Sequence, residues 1–147
     1  MAITSAICTS FKQQILVGTH DFTATTGDTF KLALYTSSAT LGAATTAYSA
    51  TNEITNDAGS AYVAGGQDLT SVTPTTSGTT AFCDFDDISW TSASFTANGC
   101  LIYNDTAAGD PAVCAIAFGS DKTATSGTFT IQFPAPTSTA AILRISG

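Results

Sequence analysis

Thr29-Phe-Lys-Leu-Ala-Leu-Tyr-Thr36 decides the class of fold. Phe30, Leu32 and Leu34 alternate with Lys31, Ala33 and Tyr35, and a period of two places the first three on one face of a half-buried strand. Gly27-Asp28 supplies the turn that precedes it. Beyond Gly66 the same kind of segment recurs at short intervals, over Gln67–Thr73, Thr79–Ser89, Phe95–Tyr103, Ala112–Phe118, Gly127–Phe133 and Ala140–Ile145. Turn signals separate them: Pro74 with Ser77-Gly78, Asn104-Asp105, Gly109-Asp110-Pro111, Gly119-Ser120-Asp121 and Ser126-Gly127. Short strands with such punctuation predict an all-β domain, an antiparallel sandwich (jelly-roll or immunoglobulin-like) or a barrel.

Helical spacing occurs once, on the N-terminal side. Phe11, Ile15 and Leu16 predict a short helix over about 9–17, capped by Thr9 or Ser10 and ended by Gly18. Two turns cannot stand alone, so the apolar face must dock on the sheet. Between the first strand and Gly66 lies a long polar stretch, about 37–66, of Ala, Thr, Ser and Gly, with Leu41, Tyr48, Ile54, Tyr62 and Val63 as its apolar anchors. So long an excursion is uncommon in a compact domain unless it is functional, and we expect a short strand or helical turn inside it. The sequence shows no repeat of fixed period, and 1–147 reads as one domain.

Composition agrees. Only 10% of the 147 residues are charged, against a usual value of about 25%, so polarity comes from hydroxyls and glycine. Threonine is β-branched and suits a strand face better than a helix. Net charge is −7, and the four cations Lys12, Lys31, Lys122 and Arg144 are scattered along the chain. They form no basic stripe to neutralise phosphates, so no nucleic-acid partner is expected. No apolar run reaches the roughly 20 residues of a spanning helix, and the acidity opposes an anionic membrane surface, so no membrane association is expected. The first seven residues lack the basic and continuously apolar regions of a secretory signal, and none is expected there.

Residues able to carry chemistry are few. Cys8, Cys83, Cys100 and Cys114 lack the close pairs of zinc or redox sites and read as buried small hydrophobes, with a Cys83–Cys100 disulfide as the sharper alternative. Any nucleophilic mechanism needs His20, the single histidine, which reads instead as a turn residue bonded to backbone. Asp84, Asp86 and Asp87 form the densest acidic cluster. In a strand Asp84 and Asp86 share a face that Asp87 does not, and no glycine-bent calcium loop surrounds them, so a solvated strand face is expected over a metal site or a glycosidase pair. Trp90, Phe95, Tyr103, Phe118, Phe129 and Phe133 alternate with polar residues, as core aromatics do, and are favoured as core over a sugar platform. Gly65-Gly66 lacks the Lys-Ser/Thr of a phosphate loop. No catalytic residue, cofactor or metal is expected, and the protein reads as a non-enzyme.

The segment Ser10–His20 (Ser-Phe-Lys-x-x-x-Leu-x-Gly-x-His), Asp28-Thr-Phe-Lys-Leu-Ala-Leu-Tyr-Thr, Ala64-Gly-Gly, Leu101-Ile-Tyr-Asn-Asp, Phe118-Gly-Ser-Asp-Lys and Thr128-Phe-Thr-Ile-Gln-Phe-Pro occur in that order. Over about Ala2 to Ile145 the chain resembles a group of small structural proteins of tailed bacteriophages. The resemblance implies a virion component assembled in the host bacterial cytoplasm, a capsid decoration or cement protein whose partners are the major capsid protein or other virion proteins. It transfers no catalytic or binding residue. The alternative is a tail, fibre or head-surface adhesin for a host glycan, with Tyr48, Tyr62 and Trp90 as its aromatic strip. Weakly guarded outer strands favour a homo-oligomer, a trimer before other states. Its contacts are expected from Thr36–Gly66, through Leu41, Tyr48, Ile54 and Tyr62, and from an apolar anchor of Ile3, Ile7 and Phe11.

Overall fold

The computed structural model describes residues 2–55 and 61–147; Met1 and residues 56–60, the latter part of the 37–66 excursion, lie outside the described residues. In chain order the elements are β1 (Ala6–Ile7), α1 (Thr9–Leu16), β2 (Phe30–Tyr35), β3 (Gln67–Asp68), β4 (Ser71–Ser77), β5 (Thr80–Phe85), β6 (Ile88–Asn104), β7 (Ala112–Ile131) and β8 (Leu143–Ser146). They form two antiparallel sheets, one of five strands in the order β1-β7-β6-β2-β3 and one of three in the order β4-β5-β8. The fold is an all-β sandwich with a short N-terminal helix.

The sheets share a core in which Phe30 of β2 meets Phe85 of β5 at a ring separation of 6.0 Å, with Phe22 stacked on Phe30 at 4.2 Å. β2 departs from the expected half-burial. Ala33 is 0% and Tyr35 1% exposed, because the excursion lies over the face opposite Phe30, Leu32 and Leu34. The Tyr35 hydroxyl donates to the Ser49 carbonyl at 2.7 Å, and Tyr48 stacks on Tyr103 of β6 at 4.6 Å. The alternation is real as geometry and does not separate buried from exposed, since a second layer covers the outer side. Within the described part of the excursion there is neither strand nor helix. Isolated bridges, Ile3 with Leu41, Tyr35 with Glu53 and Ala47 with Pro111, hold it to the sheet.

Several boundaries move for identifiable reasons. Gln67–Thr73 splits into β3 and β4, because the chain crosses between sheets at Leu69, whose N–H donates to Phe30 at 2.8 Å. Thr79–Ser89 breaks at Asp86-Asp87, a second crossing; Asp86 N–H donates to Thr70 and Asp87 Oδ1 accepts from Phe133 N–H. Pro74 is not a turn but lies inside β4, at a register shift in a strand with one free edge, where a missing N–H costs no ladder bond. Ala112–Phe118 and Gly127–Phe133 are one strand. Gly119 (φ 81°) and Ser126 (φ 48°) act as irregularities along β7 instead of ending it.

In α1 the residue before the first turn is Cys8, with no side-chain cap, so the expected caps Thr9 and Ser10 are already inside the helix. Gly18 (φ 77°) ends the helix as expected, its N–H reaching the Ile15 carbonyl. Phe11 is buried but Leu16 is 84% exposed. Leu16 follows Phe11 by five positions, about 140° round the helix, and so leaves the docked face. Gly66 (φ 83°) marks a close approach: a Cβ there would overlap the Leu32 carbonyl.

Candidate functional site

The excursion is tied down by a single carboxylate. Glu53, 5% exposed, accepts from the Tyr62 hydroxyl at 2.6 Å and the Gly65 N–H at 2.7 Å through Oε1, and from the Tyr48 hydroxyl at 2.6 Å through Oε2. Tyr62 in turn accepts from the Leu34 N–H, so its hydroxyl occupies the place where a further strand would pair with β2. The Tyr103 hydroxyl donates to the Gly65 carbonyl at 2.6 Å. Burial together with these carboxylate contacts pushes the Tyr48 and Tyr62 phenols well above their usual range. Both remain protonated donors. Composition offered no signal for this hub beyond the rarity of glutamate in the chain.

The surface over residues 36–52 of the excursion is uncharged. Residues 36–52 contain no Asp, Glu, Lys, Arg or His. They line a shallow trough of about 950 Å³ whose wall includes Ala2, Thr4, Ser38, Thr40, Ala43 and Thr46.

Of the expected contact residues, Ile3, Phe11, Ile54 and Tyr62 are buried in the chain's own core, and Ile7, Leu41 and Tyr48 are half-buried against it. Ile3 packs on Gly99, so the N-terminal anchor grips this subunit's sheet. The surface of the excursion, not its anchors, is what a neighbour would meet. The same burial removes the aromatic strip: Tyr62 is 1% and Trp90 4% exposed, and Tyr48 lies on Tyr103. Trp90, Phe95 and Phe129 form a buried cluster with ring separations from 5.0 to 6.5 Å.

His20 is bonded to side chains, correcting the expectation of backbone partners. Its Nε2 lies 2.9 Å from Gln14 Oε1 and its Nδ1 lies 3.1 Å from Asn104 Nδ2. Asn104 Oδ1 accepts from the Thr106 and Ala107 N–H groups, which fixes Nδ2 as the donor to His20 and to Asp28 Oδ2. Nδ1 therefore accepts, and the proton sits on Nε2. Burial lowers the His20 pKa, with the Asp28 charge opposing. Among the described residues neither a hydroxyl nor a thiol is bonded to the ring, so no nucleophile and base meet there.

Asp84 overturns the reading of a solvated strand face. It is 1% exposed, its Oδ1 accepts from the Phe85 N–H, and its Oδ2 has no partner among the described residues. Burial raises its pKa, partly offset by backbone donation from Phe85 and Ile142. Asp86 and Asp87 are exposed at the crossing. All four cysteines are free and buried. Burial pushes the Cys83 and Cys114 thiols up to about 12, leaving them unreactive as nucleophiles. Among the described residues no three His, Cys, Asp or Glu side chains converge on a metal position, and no helix is long and apolar enough to cross a membrane.

Comparison with protein-family models, curated proteins and solved structures finds no match to this chain.

Proposed function

We propose that the protein is a structural component of a bacteriophage virion, a decoration or cement protein that stabilises the shell through protein contacts and performs no catalysis. The observation that carries this reading is the uncharged trough over residues 36–52, on a chain whose net charge is −7. The centres of protein interfaces are depleted in charge because a buried, unpaired charge is costly, whereas Ala, Thr and Ser surface can be covered at little desolvation cost. Glu53 and its tyrosines hold that surface to the sheet, so less ordering entropy is lost on contact than a free loop would lose. Repeated over many shell positions, modest contacts sum to a large total.

Partners on this reading are the major capsid protein and further copies of the chain, arranged as a trimer. The outer edge of β7 favours assembly: β1 pairs with it only at Cys114 and Ala115, the Cys8 N–H and the Ser5 hydroxyl bond the flanking Val113 carbonyl and Ala117 N–H, and no described strand pairs with that edge farther along β7. The test is a phage particle lacking this protein. It should assemble and then lose heat or low-salt resistance, and added protein should restore it, whereas the double variant Thr40→Glu/Ala43→Glu should not. Equal stability of stripped and decorated particles rejects the proposal.

A further inference from the structure

Helix α1 buries one side chain, Phe11, and among the described residues makes one side-chain hydrogen bond, in which Gln14 Oε1 accepts from His20 Nε2 at 2.9 Å. The Thr9 N–H bond to the Ala43 carbonyl fixes the first turn, and the later turn rests on Phe11, the half-buried Ile15 and the Gln14 tie. Phe11 itself leans on the same residue: its ring lies 4.9 Å from His20 and 5.9 Å from Phe22, while His20 stacks on Phe30 of β2 at 6.2 Å. Beside this junction α1 and the β5–β8 face enclose a cleft of about 550 Å³, with Phe11, Ile15, His20, Cys83 and Leu143 in its lining.

The partners of His20 have no place for a second ring proton. A proton on Nδ1 would point at the Asn104 N–H across 3.1 Å, donor against donor. Asn104 is 0% exposed and cannot reverse its amide without giving up the Thr106 and Ala107 N–H groups on one side and the Asp28 carboxylate on the other. Turning the ring to escape that contact withdraws Nε2 from Gln14 as well. Asp28 is the acid that attracts the imidazolium, but its Oδ2 already accepts from Asn104 and from the Asp21 N–H, and Asp21 Oδ1 is taken by the Thr23 N–H. On the other elements around the ring, Lys12 is exposed on α1 and the Cys83 thiol of β5 is neutral. Lys31 stands on the opposite face of β2, paired with Asp68 and Asp105, and the β5–β8 register turns Arg144 away from Cys83 and Leu143. A charge left among Phe11, Phe22 and Phe30 is costly, and water reaches it when α1 lifts.

We propose that His20 is a pH-operated latch on α1: the neutral ring bridges Gln14 and Asn104, and a proton on Nδ1 breaks both bonds, frees the helix beyond its first turn and opens the cleft while β2, β6 and β7 stay paired. The acid form would present Phe11 and the cleft wall as new apolar surface. The latch is separate from the trough over residues 36–52 and does not depend on the virion reading.

The test follows the ¹⁵N-labelled full chain from pH 8 to 4. Imidazole ¹⁵N–¹H spectra read the tautomer and titration of His20, and amide exchange, corrected for its intrinsic pH dependence, reads opening. The proton should sit on Nε2 at pH 8. As the ring titrates, exchange at Ile15, Val17 and Gly18 should quicken by roughly tenfold or more, the factor that one pH unit of lowered proton affinity in the docked state supplies. Leu101 and Ile102 in the central strand β6 should keep their protection. His20→Gln should hold α1 at one level across the range, and Gln14→Ala should open it already at pH 8. These β6 amides serve as an internal reference, so wild type alone decides the outcome if a variant fails to fold. A ring still neutral at pH 4, a proton on Nδ1 at pH 8, α1 exchange that stays slow once the ring is charged, or an equal loss at Leu101 and Ile102 would each overturn the proposal.

Discussion

Replacing Glu53 by alanine would remove the acceptor for three donors at once. The Gly65 N–H and the Tyr62 hydroxyl are the two that lie deepest, at 2.7 and 2.6 Å from Oε1, while Tyr48 is half-exposed and can turn to water. A hydrogen bond to a charged group contributes about 1.5–3 kcal/mol, so two lost acceptors give roughly 3–6 kcal/mol, and relief of the buried carboxylate's own desolvation brings the expected loss to about 3 kcal/mol. For a chain of this size that is roughly a 10 °C fall in Tm. Glu53→Gln keeps an acceptor at the Oε1 position and should cost about 1 kcal/mol. Urea unfolding gives the two free energies, and amide exchange gives their location. Protection should fall at Leu34, Ile54 and Gly65, whose N–H groups donate to the Tyr62 hydroxyl, the Leu34 carbonyl and Glu53, before it falls in β6 and β7. If alanine and glutamine cost the same, or if alanine costs under about 1 kcal/mol, Glu53 does not anchor the excursion.

Acid should weaken the fold through His20: its pKa is lower folded than unfolded, so the stability its neutral form confers is present above the unfolded value of 6.5 and lost as pH falls through the folded one. Thermal melts between pH 8 and 5 should show a steeper decline for wild type than for His20→Gln, and parallel curves would contradict this. Asp84 runs the other way, since burial raises its folded pKa above the ordinary carboxylate value of 3.8; its favourable contribution holds below that value and is lost as pH rises through the folded pKa. Asp84→Asn should therefore melt above wild type at pH 7, with the gap closing in acid, and a lower melt at pH 7 would show that the carboxylate is stabilised there. Gly66→Ala should cost more than the roughly 1–2 kcal/mol of a left-handed residue, because its Cβ also meets the Leu32 backbone; a loss under about 1 kcal/mol in urea would refute that contact. Thiol titration of the denatured chain without reductant should find all four cysteines, and a count of two would reveal a disulfide.

Local pattern was enough for the class of fold. Phe30, Leu32 and Leu34 do share a face, Gly18 does stop α1, and Gly109-Asp110 does turn the β6–β7 hairpin, because each depends on backbone periodicity or a left-handed φ within a few residues. Cysteine spacing pointed correctly to buried free thiols, and alternation pointed to the aromatic core of Trp90, Phe95 and Phe129.

Tertiary structure alone decided what depends on distant chain. Glycine and Asp-rich dipeptides look the same in a turn, in a bulge of β7 or at a sheet crossing, and only the partner strand determines which they become. Asp84 is buried and Tyr35 covered because segments remote in sequence lie over them, and a period of two carries no information about a second layer. The Glu53 hub joins residues from 34 to 103, and the cleft joins α1 to the C-terminal strand. Their geometry exists only once the sheets have packed, so no local window of sequence could contain it.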